Sequence, residues 1–252
     1  MARSGSAVRR YGLLDEPSSR AATDALLAGL TAGHWRPRAW ARFVLDATLR
    51  SLRQARARPR ALAEVCALHL AFAALAAGVP GRTPRWTAPK WTLMSWALAA
   101  GHLGLLERRR SLGGADAVTL ARANLPTFAT GRWVPALALV SDLADGMLAR
   151  RLGTESRFGA AADSLADAAF WTWLALRHEP DPRIRAAASL AWPLPVLAVT
   201  ALGVRRGHMI DPPRPVVLRP AAALQAVLAT RAVLRPTRTN VPPGPSNRRC
   251  RR

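Results

Sequence analysis

Cysteine is scarce in this sequence: Cys66 and Cys250 stand far apart along 252 residues. Two such cysteines exclude a disulfide framework and a cysteine-based metal knuckle. The five histidines (His34, His69, His102, His178 and His208) are scattered without zinc-ligand spacing, so each reads as structural. Acids are scarce as well, with 15 Asp and Glu against 37 Lys and Arg, giving a formal charge of +22. No apolar run follows the basic N-terminus within the first 30 residues, which argues against a cleavable signal peptide. The stretch "GLLDEPSSRAATDALLAGL" lacks the glycines of a Walker loop or a dinucleotide fingerprint. There is no internal repeat, and no Ser/His/Asp or Cys/His hydrolase arrangement can be located.

Against these absences stands an abundance of apolar residues, 50% of the chain. A disordered basic protein would lack them. A soluble nucleic-acid binder rarely combines such charge with apolar runs of this length, so no nucleic-acid partner is expected. The combination fits an all-α, polytopic integral membrane bundle of about six transmembrane helices with basic cytoplasmic edges. The apolar segments fall near 61–79, 91–106, 133–149, 158–177, 184–204 and 216–234, and Pro193 and Pro195 interrupt the fifth. Several are short for a crossing, which takes about 20 residues. Trp91 and Trp133 sit where interfacial anchors belong, and Trp192 lies within the fifth segment. The loops at 80–90, 107–110 and 205–207 are all basic. If every segment spans once, they cannot all lie on one side, so one segment is expected to be re-entrant, split or interfacial.

Residues 1–60 carry 12 arginines and four acids, a net +8. Within them "TDALLAGL" and "RAWARFVLDATLRSL" read as short amphipathic helices, too polar to span. This region is expected in the cytoplasm or on the membrane surface, where anionic lipid attracts it. The transmembrane domain is expected over 61–234. The Pro- and Arg-rich residues 235–252 read as a disordered basic tail.

Four of the few acids are aspartates in one short run, "SDLADGMLARRLGTESRFGAAADSLAD". At about 100° per residue, Asp142, Asp145 and Ala149 share a helix face with Gly146 close by, and Gly159, Asp163 and Asp167 form a second stripe. "RRLGTESRF" between them is polar enough for a loop or helix end. Two helices would then bring four carboxylates face to face near a membrane boundary. Such carboxylates repel one another and resist desolvation, so a cation must compensate. Divalent Mg or Mn is the natural partner, since hard cations prefer oxygen ligands. Two such ions could clamp a diphosphate, while one carboxylate takes a proton from an attacking hydroxyl. Gly146, Gly159 and Ala149 keep the acidic face open to a ligand or the opposite helix, and Arg150 offers a planar fork to phosphate. The competing interpretation pairs the acids with Arg150, Arg151 and Arg157 on a solvated loop.

The pattern Asp-x2-Asp-Gly-x2-Ala-Arg-x8-Gly-x3-Asp-x3-Asp is met at all eight fixed positions. A chance match is on the order of one in a million at ordinary residue frequencies. The run resembles the signature of the CDP-alcohol phosphatidyltransferase family. "VTLARA" at 118–123 is similar to the Thr-Leu-x-x-Arg element that opens that family's first core helix. The resemblance implies a membrane enzyme of phospholipid biosynthesis. It would pass a phosphatidyl or related phosphoalcohol group from a CDP-linked lipid donor, such as CDP-diacylglycerol, to an alcohol acceptor and release CMP.

It further implies that Asp142, Asp145, Asp163 and Asp167 bind two divalent ions, and that Asp167 is the catalytic base. Gly146, Ala149, Arg150 and Gly159 would form the CDP pocket. The expected place is the bacterial cell membrane, with the site facing the cytoplasm and membrane lipid as a partner. A homodimer is compatible with the resemblance. "SRFGAAADSLAD" is similar to runs in members that use glycerol 3-phosphate or phosphatidylglycerol, and an inositol phosphate stays open as a third acceptor. Arg122, Arg157 and Arg206 are the candidate cations for a phosphorylated acceptor. One departure stands out. Only 20 residues separate Arg122 from Asp142, too few for two full crossings. Either the core helix is shortened, or 61–79 and 91–106 take its place. The reading from another class is a non-catalytic membrane metal-binding or transport protein, which has no need of the glycines and the Ala-Arg at fixed offsets.

Overall fold

The computed structural model describes residues 12–79, 87–191, 193–210 and 215–234, with side chains in the last segment described from residue 221. All regular structure among them is helical. The helices are α1 (Ser19–Ala32), α2 (Pro37–Arg56), α3 (Pro59–Ala77), α4 (Thr87–Gly101), α5 (Gly114–Phe128), α6 (Val134–Leu152), α7 (Arg157–His178), α8 (Pro182–Ala191), α9 (Pro193–Arg206) and α10 (Pro215–Leu234). A 3-10 turn, Leu103–Leu106, follows α4. The tail 235–252, Trp192, Arg82 and Arg85 lie outside the described residues.

Prolines sit at or next to the N-termini of α2, α3 and α6, where a missing N–H costs nothing. The hub is α5, which touches α3, α4, α6 and α7. It settles the spacing problem: the core helix is present but short. Fifteen residues reach about 22 Å, less than the roughly 30 Å hydrocarbon layer. The chain breaks at 129–133, where Gly131 takes φ +98°, and α6 starts at once. Two stretches among the described residues are long and apolar enough to cross a membrane, Pro59–Ala77 and Pro182–Arg206. The expectation of six crossings therefore exceeds what length and hydropathy carry.

Two apolar clusters lie on either side of the acidic run. Ala61, Val65, Phe72, Leu103 and Phe158 belong to the first. Ala138, Phe170, Trp171, Leu174 and Ala188 belong to the second. Fully buried alanines such as Ala138 and Ala175 let helices approach closely, the packing that joins helices where lipid removes the hydrophobic drive. A polar chain ties α3, α4 and α5 together. His69 Nδ1 lies 2.8 Å from the Val65 carbonyl, so this nitrogen carries the proton. The Ser95 hydroxyl then donates to His69 Nε2 and accepts from Asn124 Nδ2. His69 is thus a satisfied core histidine.

Outward faces are apolar. On α6, Leu137, Val140, Leu143 and Met147 are exposed while Asp145 is buried. Soluble monomers rarely show such faces. Both N-terminal amphipathic helices form as expected. On α2, Trp40, Val44, Leu45, Leu49 and Leu52 are exposed, and Arg38 and Arg42 line one edge. These helices are tied to the bundle: Ser19 Oγ donates to the Gly104 carbonyl, and Arg58 donates to that of Glu107. Trp91, expected as an interfacial anchor, ties two helices together. Its indole N–H donates to the Ala123 carbonyl at 2.8 Å, a bond between helices.

Candidate active site

The acidic run folds as a helical hairpin. Gly153, with φ +59°, closes α6, a left-handed cap that glycine adopts without a Cβ penalty. Residues 154–156 turn the chain, and Ser156 caps α7 by accepting from Gly159 N at 2.9 Å. Helix periodicity then aims both aspartate pairs at α5. Asp142, Asp145 and Asp163 each place a carboxylate oxygen within 4.8 Å of the others, a group able to hold a metal ion. Asp167 stands beside them, outside that triad, and is buried. Its Oδ2 accepts from Gln225 Nε2 on α10 at 3.1 Å, whereas its Oδ1 makes no hydrogen bond.

Arg122 fills the centre, and the sequence had not disclosed that position. Its side chain is completely buried. One guanidinium nitrogen lies 3.1 Å from Asp142 Oδ1 and 3.0 Å from Asp145 Oδ2. The second terminal nitrogen binds Asp163, and Nε is 3.3 Å from Asp167 Oδ1. Thr119, one turn earlier on α5, donates to Asp145 Oδ2 at 2.7 Å. One guanidinium does not balance four ionised carboxylates, and protonation or a bound cation can make up the difference. The donor set suits a cation. It is all oxygen and carboxylate-rich, and one buried oxygen has a lone pair to spare.

A cleft of about 170 Å³ opens between α4, α5 and α7, and none of the four aspartates lines it. Trp91, Leu98, Leu120, Ala123, Leu165 and Ala169 make most of its wall apolar. Leu120 and Ala123 flank Arg122 in sequence, and Ala162 and Ala166 precede Asp163 and Asp167. The cleft runs on along α7 past Trp173 and Leu176 to Arg177.

The comparison with protein families now bears on this geometry. Residues 117–234 match the family model of the CDP-alcohol phosphatidyltransferases. Residues 117–234, just under half of the chain, are thus similar to a CDP-alcohol phosphatidyltransferase domain. No curated protein and no solved structure matches the chain. The matched span begins within α5 and ends with α10, and so takes in the whole acid cluster. The family's activity is phosphatidyl transfer in general, its members are membrane-embedded, and they use divalent metal.

Within the matched span, the small residues have specific neighbours. A Cβ on Gly159 would come within 3.0 Å of Asp116 Oδ1 and 3.3 Å of Ser156 Oγ. Both are fixed: Asp116 is buried, accepts from Gly113 N at 2.7 Å and pairs with Arg109 at 3.1 Å. The space at Gly159 is therefore taken by α5, not left open. Gly159→Ala is expected to cost about 1–3 kcal/mol, read as a lower unfolding midpoint in nanodiscs. A Cβ on Gly146 would meet the Arg150 guanidinium at 3.3 Å, so Arg150 folds back along α6 over that glycine. Arg150 itself is exposed, and Ala149 is half-buried.

Of the three cations expected for a phosphorylated acceptor, one lies within the cluster. Arg122 is engaged by the four aspartates, Arg157 pairs with Glu107 at 3.1 Å, and Arg206 is exposed at the end of α9. Thr119, Asp116 and Gln225 escaped the sequence reading. Gln225 had a signal, a lone amide within the apolar run "AAALQAVLA". Gln225→Leu is expected to lower turnover about tenfold with little change in KM, because it frees Asp167 to rotate. A shifted pH profile of kcat would separate this positioning role from a merely structural one.

Proposed function

We propose that the chain is a polytopic membrane enzyme that moves a phosphatidyl group from a CDP-linked lipid, CDP-diacylglycerol being the first choice, to an alcohol acceptor with release of CMP. The observation that carries this reading is the cluster of four aspartates at the family's spacing, in a bundle that also holds an apolar cleft. A lipid donor can lay an acyl chain in that cleft while its diphosphate meets the aspartates.

Asp142, Asp145 and Asp163 would hold one divalent ion, Mg or Mn, and Asp167 would complete the set for a second. When bound, the ions supply charge that neutralises the donor's diphosphate and the departing CMP. Asp167 Oδ1 takes the proton of the acceptor hydroxyl. The acceptor oxygen bonds to the phosphorus of the phosphatidyl group as that phosphorus parts from the oxygen it shares with CMP. Gly146 lets Arg150 lie along α6 toward the diphosphate. Ala149 leaves room for the CDP moiety, and Gly159 serves the same pocket by seating α7 on Asp116. The exposed face of α2 rests on the anionic side of the bilayer, which puts the turn between α6 and α7 at the cytoplasmic surface.

The acceptor is tested directly. Protein in nanodiscs receives CDP-diacylglycerol, Mn²⁺ and, separately, glycerol 3-phosphate, an inositol phosphate and phosphatidylglycerol. One acceptor is expected to drive CMP release well above the others. Mn²⁺ binding without release for any acceptor would instead favour a non-catalytic metal-binding or transport protein.

A further inference from the structure

We infer that Arg122 is the site's built-in counter-ion, holding the four aspartates together before a divalent ion arrives and competing with that ion for their oxygens. This rests on the reading of the cluster as a divalent-ion site. The guanidinium is completely buried and lies at ion-pair distance from all four carboxylates. No other cation is paired with Asp142, Asp145, Asp163 or Asp167 among the described ion pairs. Without Arg122, four carboxylates, Asp145 and Asp167 buried and Asp142 and Asp163 partly exposed, would face α5 with nothing positive between them, and the hairpin would be pushed away from α5.

The three aspartates that can share one ion are also partners of Arg122. Each oxygen given to a metal is therefore one withdrawn from, or shared with, the guanidinium. Its Nε already lacks a hydrogen bond, so the planar fork is not locked on every side. Thr119 holds Asp145 from the same helix, so at least one carboxylate keeps a neutral donor when the guanidinium yields.

Linkage gives the competition a measurable form. A substitution that destabilises the metal-free fold more than the metal-loaded fold must tighten metal binding to the folded protein. Arg122→Met keeps most of the stem and removes the charge. In nanodiscs with EDTA its unfolding midpoint should fall below that of the unchanged protein, and Mn²⁺ should restore most of the difference. Its Mn²⁺ affinity, read by electron paramagnetic resonance, should be at least about tenfold tighter. Arg122→Lys keeps a charge but reaches fewer oxygens, so it should fall between the two.

Equal destabilisation with and without Mn²⁺, or unchanged or weaker Mn²⁺ affinity, would overturn the inference and leave Arg122 a fixed strut. If Arg122→Met does not fold under either condition, Arg122→Lys decides by the same readings: tighter Mn²⁺ binding supports the inference, and unchanged binding overturns it. A failure of the unchanged protein to bind Mn²⁺ would be a different result, since it would remove the divalent-ion reading itself.

Discussion

Asp167→Asn is expected to cut turnover by about 10²–10⁴-fold, the usual worth of a general base, while the protein stays folded in the membrane. Asn has nearly the same shape, and its amide oxygen can still accept from Gln225, so the hydrogen bond between α7 and α10 survives. What disappears is the proton acceptor at Oδ1, the oxygen that no hydrogen bond engages. Asp167 also stands outside the close triad, so this change should affect chemistry more than the first ion. The measurement is single-turnover CMP release with matched thermal unfolding. Activity like that of the unchanged protein would remove Asp167 from the role of base.

Asp163→Asn should behave in the opposite sense, weakening Mn²⁺ binding by more than about 100-fold, since even the outer partners of metal ligands are worth 10–100-fold. Asp163 lies in the triad and also binds Arg122. Removing one of four crowded charges relieves repulsion, so stability in EDTA should hold or rise. The rise in unfolding midpoint caused by Mn²⁺ should vanish. That pairing of a kept fold with a lost metal response distinguishes a ligand from a structural acid. If Mn²⁺ still raises the midpoint as before, Asp163 is not a ligand.

The sequence made one layer of this site readable and hid another. Helix periodicity put Asp142 with Asp145, and Asp163 with Asp167, on facing stripes, and the structure brings those four acids together. Periodicity describes one helix at a time, however. It cannot say which third helix lies between two stripes, and so Arg122 was expected only as a cation for a phosphorylated acceptor, and its place at the centre of the cluster stayed hidden. Gly159 shows the same gap. The missing side chain was evident in the sequence, but its neighbour Asp116 lies 43 residues earlier and only packing brings it there. Apolar content foretold the helices well. The six crossings expected from it are not confirmed, because α5 is short and two stretches among the described residues are long and apolar enough to span. Trp91 shows a related gap: the sequence did not disclose that its indole donates to the Ala123 carbonyl on the next helix.

The most direct test of the whole account is release of CMP from CDP-diacylglycerol by purified protein in nanodiscs, followed with Mn²⁺ present and after chelation. The account predicts acceptor-dependent release that stops with EDTA and returns when Mn²⁺ is restored. Folded, Mn²⁺-loaded protein that releases no CMP with any acceptor would contradict it.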